Sequence, residues 1–298
     1  MDFGDIIVLE TEAARRVRDE RRIHRRNLEI EILAAVRFYA VGSYQRFVGQ
    51  DYNIVLAQRT VSKVVKEVSY AIVHRLLNVY IKFPSTAEER RAVASGFQAA
   101  HGLPDCLGCI DCTHIAIVTP HNNDANDPPI GYKNRKGNYS INTQFGQLTT
   151  NTFLTKDEMM RLVDGRIGKY YLIGDSGYSK QSYMLTPIVP SPPEGSTEYR
   201  YNVKISRIRN CVERTNGIIK AIFRCLRKDR VLHYQPQAAA LIILSCCTIY
   251  NMMHQYRYPL PEPETSTEEL TDHTIPTHTA TSSSAALRRQ QDIIMLIN

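Results

Sequence analysis

Apolar residues in the first third of the chain recur every three or four positions, which is the period of an α-helix. One apolar stripe consists of Leu28, Ile32, Val36 and Tyr39. A second stripe consists of Val61, Val65, Val68, Ile72 and Leu76. Gly42 and a turn at residues 49–53 separate the two stripes. We therefore expect residues 28–80 to be almost wholly helical.

The face opposite the second stripe is polar and basic. It consists of Gln58, Arg59, Ser62, Lys63 and Lys66. A helix, a short helix, a turn and a basic helix form the outline of a helix-turn-helix unit, in which Arg59 and Lys63 would contact DNA. A plain helical bundle with a solvated basic face has the same outline, so both interpretations stay open.

From residue 104 the pattern changes to short apolar runs bounded by turn residues, which is typical of strands. The predicted strands cover residues 106–118, 139–143 and 169–174, and helices are predicted at 207–226 and 236–253. The apolar run at 238–253 is shorter than the ~20 residues that span a bilayer, so a buried helix explains it better. These elements predict an α/β (α+β) fold with helices on a mixed sheet.

Composition and period divide the chain into four predicted regions. Residues 1–27 form a basic N-terminal arm with seven arginines, which is either a solvated helix or a segment for nuclear import or phosphate binding. Residues 28–104 form the helical domain with the helix-turn-helix-like unit, and residues 105–256 form the domain that contains the sheet. Residues 257–298 are rich in Pro, Thr, Ser and Glu, which favours a disordered tail.

The net charge limits the class of binding partner, and the cysteine content indicates the redox compartment. The formal net charge is +7, which suits a polyanionic partner, although basic proteins without one are common. The opening ten residues are too short and too acidic for a secretory signal, so we expect the seven cysteines to be reduced. The spacing of Cys106, Cys109, Cys112 and His114 suggests zinc, but strand alternation turns Cys112 and His114 away from Cys109.

Three acidic residues stand in positions that suit a metal site. Asp111 lies inside an apolar strand, where a carboxylate is costly unless it is paired or binds a cation. Asp175 follows the apolar strand at 169–174, and Glu213 lies on a helix within a segment of many cations. Each also has an ordinary explanation: Asp111 could pair with an arginine, Asp175 could cap a turn, and Glu213 could form a surface ion pair.

The helix that carries Glu213 offers cations for a phosphate backbone. Glu213, Gly217, Lys220 and Arg224 follow helical steps of four, three and four. Arg214, Lys220 and Arg224 are therefore candidate DNA contacts. Phosphodiester cleavage needs charge neutralised on the attacking and leaving oxygens, which two Mg²⁺ ions ~4 Å apart supply. Mg²⁺ prefers a few carboxylates and retains water.

Several short strings of the sequence resemble PIF/Harbinger-type DDE transposases, including the Harbinger transposase-derived nuclease. They are RFYAVGSYQ (37–45), TVSKVV (60–65), KFPS (82–85), GCIDCTH (108–114), NRKG (134–137), GDSGY (174–178), YRYN (199–202) and VERT (212–215). They occur in the family's order and cover roughly residues 28–255. Each string is modest, but together they are specific.

The resemblance implies an RNase H-like fold in which Asp111, Asp175 and Glu213 are the catalytic and metal-binding triad. It implies a divalent metal, Mg²⁺ or Mn²⁺, and DNA as substrate. It also implies a Myb/SANT-like protein partner and a location in the nucleus, with the cytoplasm as a second compartment. The expected function is metal-dependent DNA cleavage and strand transfer. The alternative is a catalytically inactive, transposon-derived protein that binds DNA or a partner.

The chain departs from the family's pattern after residues 134–137. The family continues with two strands and a Gly-Ser-x-His-Asp segment, and this sequence lacks that segment. We therefore expect the sheet to be incomplete by loss of the family's strands 2 and 3, with a helix near 155–163 following directly. Ala57 also stands where the family usually has a capping Ser, which weakens the start of that helix.

Overall fold

A computed structural model describes residues 3–42, 44–121, 128–148, 169–261 and 284–297. The helices are α1 (Phe3–Val41), α2 (Gln45–Gly49), α3 (Gln58–Tyr80), α4 (Ala87–His101), α5 (Thr197–Ile222), α6 (Pro236–Gln255) and α7 (Ser284–Ile297). The strands are β1 (Cys106–Ala116), β2 (Ser140–Leu148), β3 (Tyr171–Ile173) and β4 (Met184–Leu185). Short 3₁₀ turns lie at Pro129–Tyr132 and Arg224–Leu226.

Helices α1, α2 and α3 confirm the prediction that residues 28–80 are mostly helical. Helix α1 runs without a break through the predicted boundary at residue 27. Helix α3 starts after Ala57, which makes no side-chain capping bond. Arg59 and Lys63 are exposed on α3, and Lys63 lies 3.6 Å from Glu67 in an exposed ion pair. The basic face is therefore solvated, and its contact with DNA stays a prediction.

The four strands form one mixed sheet in the order β2-β1-β3-β4. Strands β1 and β2 are antiparallel, whereas β1 pairs with β3, and β3 with β4, in parallel. The prediction that residues 106–118 and 169–174 form adjacent strands is therefore confirmed. The two-residue strand β4 was not predicted, because so short a run leaves no periodic signal.

Strand β2 corrects the prediction of a damaged sheet. The register between β1 and β2 runs from Ala116 opposite Ser140 to Gly108 opposite Leu148. A second strand of nine residues is thus present, and the predicted loss of strand 2 is wrong. The strand continues to Leu148, five residues beyond the predicted end at residue 143. Among the described residues, no strand pairs with the outer edge of β2. The helix predicted near 155–163 lies outside the described residues.

One hydrophobic core joins the N-terminal helices to the sheet. A continuous cluster of buried side chains extends from α1 and α3 through α6 to β1 and α5. Buried polar bonds add to this contact: the Ser245 hydroxyl donates to the Ser69 carbonyl at 3.1 Å, and Asn251 Nδ2 donates to the Tyr80 carbonyl at 2.9 Å. Helix α6 is long and apolar enough to cross a membrane by length and composition, but much of it is buried here, as predicted for residues 238–253.

The described residues 284–297 correct part of the prediction of a disordered tail at residues 257–298, of which residues 262–283 lie outside the described residues. Residues 284–297 form helix α7, which buries Ala286, Gln290 and Ile293 against the rest of the chain. Gln290 Nε2 donates to the Thr186 carbonyl at 3.2 Å, and Lys180 donates to Gln290 Oε1 at 2.8 Å. The polar composition before residue 284 concealed this short amphipathic helix.

Candidate active site

Strand β1 carries Asp111 to the point where the strand leaves the core. The five residues from Cys106 to Ile110 are buried, and exposure alternates from Asp111 onward. The Asp111 side chain is 18% exposed, so its carboxylate is largely removed from water. An ionised carboxylate at this depth requires partners. Helix α5, which packs against β1, supplies them.

Three residues of α5 face Asp111 at helical spacing: Arg209, Glu213 and Asn216. Nη2 of Arg209 lies 3.3 Å from Asp111 Oδ1 and 3.3 Å from Glu213 Oε1. Asn216 Nδ2 donates to Asp111 Oδ2 at 2.9 Å. Both oxygens of Asp111 are therefore held by α5. Sequence reasoning missed Arg209 and Asn216, although their positions four before and three after Glu213 place them on its stripe.

Asp175 lies in the turn that follows β3. Its Oδ1 accepts a hydrogen bond of 2.9 Å from the backbone N–H of Gly177, so Asp175 caps this turn. A side chain at Gly177 would approach Asp175 Oδ1 to 3.1 Å, and one at Gly174 would strike the Tyr178 ring at 2.7 Å. The two glycines thus let the turn fold tightly. The Tyr178 hydroxyl lies 3.0 Å from Cys112 Sγ, which joins the turn to β1 next to Asp111.

Electrostatics show that the three acids share one region. Burial raises the pKa of Asp111 to about 6, Arg209 opposes the shift, and Asp175 and Glu213 both add to it. Repulsion of this kind requires Asp175 and Glu213 each to lie within electrostatic reach of Asp111. The structure therefore brings the predicted triad of Asp111, Asp175 and Glu213 to one end of the sheet.

A basic rim borders this end of the sheet. His114 Nδ1 lies 2.9 Å from the Ser140 hydroxyl, which also accepts a bond of 3.2 Å from Asn134 Nδ2. Burial lowers the pKa of His114, and the charges of Arg135 and Lys220 lower it further. Lys220 and Arg135 therefore lie within electrostatic reach of His114, which follows Asp111 by three residues on β1, and we call these two cations the basic rim. Sequence reasoning did not identify Arg135 as a candidate DNA contact, although it belongs to the string NRKG (134–137).

The other predicted DNA contacts on this segment lie elsewhere. Helix α5 ends at Ile222, so Arg224 belongs to the following 3₁₀ turn and not to the stripe of Glu213. That part of the predicted stripe is wrong, because the helix ends two residues before Arg224. Arg214 is exposed, and it opposes the rise that burial causes in the pKa of Tyr250, which places it beside α6.

The side-chain oxygens near Asp111 are of the chemical types that bind a hard divalent cation. Carboxylate and amide oxygens are the ligands that such ions prefer, and the site offers three carboxylates beside Asn216. Asn216 is 7% exposed, and its Oδ1 has no hydrogen-bond partner among the described residues. In the part of the chain that the structure describes, no three acidic, histidine or cysteine side chains converge closely enough to coordinate one ion. The residues therefore fit a metal in the chemistry of their donors but not in their spacing, and Arg209 lies between Asp111 and Glu213.

Comparison with known proteins identifies the superfamily of the chain. A family model described as DDE superfamily endonuclease matches residues 146–251, a range that includes Asp175 and Glu213 and begins after Asp111. Enzymes of this superfamily generally use divalent metals. No solved structure matches the chain significantly. An acid on the first strand, an acid after a parallel strand and a helical glutamate, together with this match, define a protein of the DDE endonuclease superfamily.

Vertebrate relatives identify the family within that superfamily. The protein named "Putative nuclease HARBI1" of Xenopus laevis is 28% identical over 285 residues, which cover 90% of this chain and 79% of that protein. Its namesake in Mus musculus is 31% identical over 258 residues, covering 79% and 71%. The Homo sapiens protein is 30% identical over 242 residues, covering 75% and 66%. The chain belongs to this family of Harbinger transposase-derived nucleases.

Proposed function

We propose that this protein is a metal-dependent DNA nuclease of the DDE type. The observation that carries the proposal is that Asp111 and Glu213 contact the same Arg209 nitrogen and that Asp175 and Glu213 both raise the pKa of Asp111, since this supports a common site for the three acids. Three carboxylates at one end of a sheet, bordered by a basic rim, suit the binding of a divalent cation beside a phosphate backbone.

Asp111, Asp175 and Glu213 would hold the metal ions, Mg²⁺ or Mn²⁺. When bound, such ions neutralise charge on the phosphate and lower the pKa of a water nucleophile. Asn216 fixes the orientation of Asp111 through its bond to Oδ2. The turn that Asp175 caps fixes the second acid relative to β1. Strand transfer would use a DNA 3′-hydroxyl in place of water at the same site.

Lys220 and Arg135 would hold the DNA backbone next to the triad, since both act on His114 at the rim. Arg59 and Lys63 on the exposed face of α3, together with the exposed Arg214 and Arg224, would add contacts farther from the triad. The resemblance to Harbinger transposases supports a Myb/SANT-like partner that supplies sequence-specific binding. The arginine-rich first part of α1 supports import into the nucleus.

A second candidate function is binding to DNA or a partner protein without cutting. The position of Arg209 favours it, because an arginine between Asp111 and Glu213 forms ion pairs with two of the three acids without a metal. The two candidates share the fold and the basic rim. They differ in whether a divalent cation can enter the triad.

Thermal melting with and without metal tests the proposal. A cation that binds only the folded chain stabilises it by RT ln(1 + [L]/Kd), about 2.7 kcal/mol at a hundredfold excess over Kd. We expect Mg²⁺ or Mn²⁺ to raise the melting temperature of the wild-type protein, and Asp111→Asn, Asp175→Asn and Glu213→Gln each to remove most of the gain. Glu198→Gln, in the first turn of the same helix, is the control and should keep it. An equal gain in all four variants would contradict the proposal.

A further inference from the structure

Arg209 occupies the space between two of the three acids. Its side chain is only 7% exposed, and a single nitrogen, Nη2, lies 3.3 Å from an oxygen of Asp111 and 3.3 Å from an oxygen of Glu213. A cation that binds both carboxylates at once would need the same position. The guanidinium therefore already provides, within the chain, part of the positive charge that a divalent metal ion would bring to this pair.

The contacts of Arg209 are incomplete for a permanently buried ion pair. Stable arginine–carboxylate pairs usually form two parallel N–H···O bonds, whereas Arg209 meets both acids through one nitrogen at long distance. Its Nε is buried and has no hydrogen-bond partner among the described residues. The neighbouring Asn216 Oδ1 is also buried and without a partner there. Unpaired donors and acceptors beside the triad indicate an arrangement that a further ligand would complete.

We propose that Arg209 is an exchangeable positioning residue for the triad. In the metal-free protein it holds Asp111 and Glu213 together, and it leaves the space between them when the site takes up a divalent cation. The inference rests on the proposed metal site. Its physical basis is that two cations a few ångströms apart repel strongly, so Arg209 and the metal compete for the same oxygens.

The competing explanation is that Arg209 is a fixed structural partner that the metal-bound site also needs. The two explanations predict opposite effects when Arg209 is replaced. If Arg209 competes, its removal tightens metal binding. If Arg209 supports the ligands, its removal loosens them and weakens metal binding. The sign of the change in affinity therefore separates the two.

Titration calorimetry with Mn²⁺ on the full chain measures that sign. We expect Arg209→Gln to bind Mn²⁺ about tenfold or more tightly than the wild-type protein, because a competing charge at close range is removed. Arg207→Gln is the matched control: it removes the same charge from an exposed position on the same helix and should bind as the wild type does. Arg209→Lys keeps the positive charge, so its affinity for Mn²⁺ should stay near that of the wild-type protein. This variant separates the effect of losing the charge from the effect of replacing the arginine side chain.

The arginine Nε–H signals in nuclear magnetic resonance spectra report the movement itself. The Arg209 signal, identified by its loss in Arg209→Lys, should shift when diamagnetic Mg²⁺ is added, while that of Arg207 stays in place. Equal or weaker Mn²⁺ binding by a folded Arg209→Gln protein would overturn the exchange and leave the metal site standing. An Arg209 signal that does not shift at saturating Mg²⁺ would also overturn the exchange and leave the metal site standing. Absence of Mn²⁺ binding in every variant would overturn the metal site and the exchange together.

Discussion

Asn216 on helix α5 donates a hydrogen bond of 2.9 Å to Oδ2 of Asp111 on strand β1. The bond crosses from the helix to the sheet, and it fixes the carboxylate at the point where β1 leaves the core. Because the other carboxylate oxygen faces Arg209, side chains of α5 contact both oxygens of Asp111. The relative placement of helix and strand therefore sets the geometry of the site.

Replacing Asn216 by Ala should leave Asp111 Oδ2 without its donor. Loss of one partner of a buried bond costs about 1–3 kcal/mol, so we expect the free energy of unfolding to fall by that amount. Chemical denaturation in the presence of a chelator measures it. Asn210→Ala, at an exposed position on the same helix, is the control and should change stability by less than about 0.5 kcal/mol. Equal losses in the two variants would show that the bond to Asp111 contributes nothing specific.

The raised pKa of Asp111 predicts a pH-dependent stability. The folded protein holds the proton up to about pH 6, whereas an exposed Asp releases it near 3.8. Between these values the folded chain binds more protons than the unfolded chain, so stability of the metal-free protein falls as the pH rises from about 4 to above 6. The shift corresponds to about 3 kcal/mol.

Asp111→Asn should remove this fall, because the amide does not titrate. Denaturation midpoints measured from about pH 4 to 7 with a chelator present would therefore be flatter in the variant than in the wild type. Asp229→Asn, at an exposed position, should keep the wild-type profile. Parallel profiles for the wild type and Asp111→Asn would contradict the assignment of a buried, repelled carboxylate.

Helix α7 should contribute measurably to stability. Ile293 is 5% exposed, and truncating a buried isoleucine costs about 2–5 kcal/mol. We expect Ile293→Ala to lower the melting temperature clearly. Leu296→Ala on the same helix is the matched control, because Leu296 is 57% exposed. Indistinguishable melting of Ile293→Ala and the wild type would show that α7 does not dock, as the sequence pattern had suggested for this tail.

Lys220 should carry part of the electrostatic affinity for DNA. Each phosphate contact contributes a slope of about −0.9 to the dependence of log affinity on log salt concentration. Lys220→Ala should therefore flatten the slope by about one contact, measured by fluorescence anisotropy at several salt concentrations. Lys228→Ala removes an exposed charge beyond the end of α5 and should leave the slope unchanged. A wild-type slope in Lys220→Ala would show that this side chain does not face the DNA.

Helices and strands with a clear apolar period could be predicted from the sequence. The candidate acids could also be predicted, because they stand in unusual positions. Asp111 stood out because a carboxylate inside an apolar strand is costly, and the structure places it beside Asp175 and Glu213. Sequence reasoning missed Arg209 and Asn216, because an arginine and an asparagine on a basic helix are usually surface residues. Only the packing of α5 on β1 shows that they face the core side of the helix.

The second half of strand β2 and helix α7 were missed for a different reason. Gly146 and the polar residues around it interrupt the apolar–polar alternation of β2, so the sequence pattern does not predict a strand there. Pairing with β1 stabilises this part of β2. Helix α7 follows a long polar segment, and its docking depends on a few side chains such as Ile293. In both cases contacts between distant parts of the chain decide the structure.

Cleavage of supercoiled plasmid DNA in the presence of Mg²⁺ or Mn²⁺ tests the central claim most directly. The claim is that Asp111, Asp175 and Glu213 act together as one metal-dependent site. We expect the wild-type chain to nick the plasmid only when a divalent cation is present, and we expect Asp111→Asn, Asp175→Asn and Glu213→Gln each to abolish nicking while DNA binding and folding persist. Glu198→Gln should nick as the wild type does. Failure of the folded, DNA-binding wild-type chain to nick with either ion, or nicking that survives Asp111→Asn, would contradict the account.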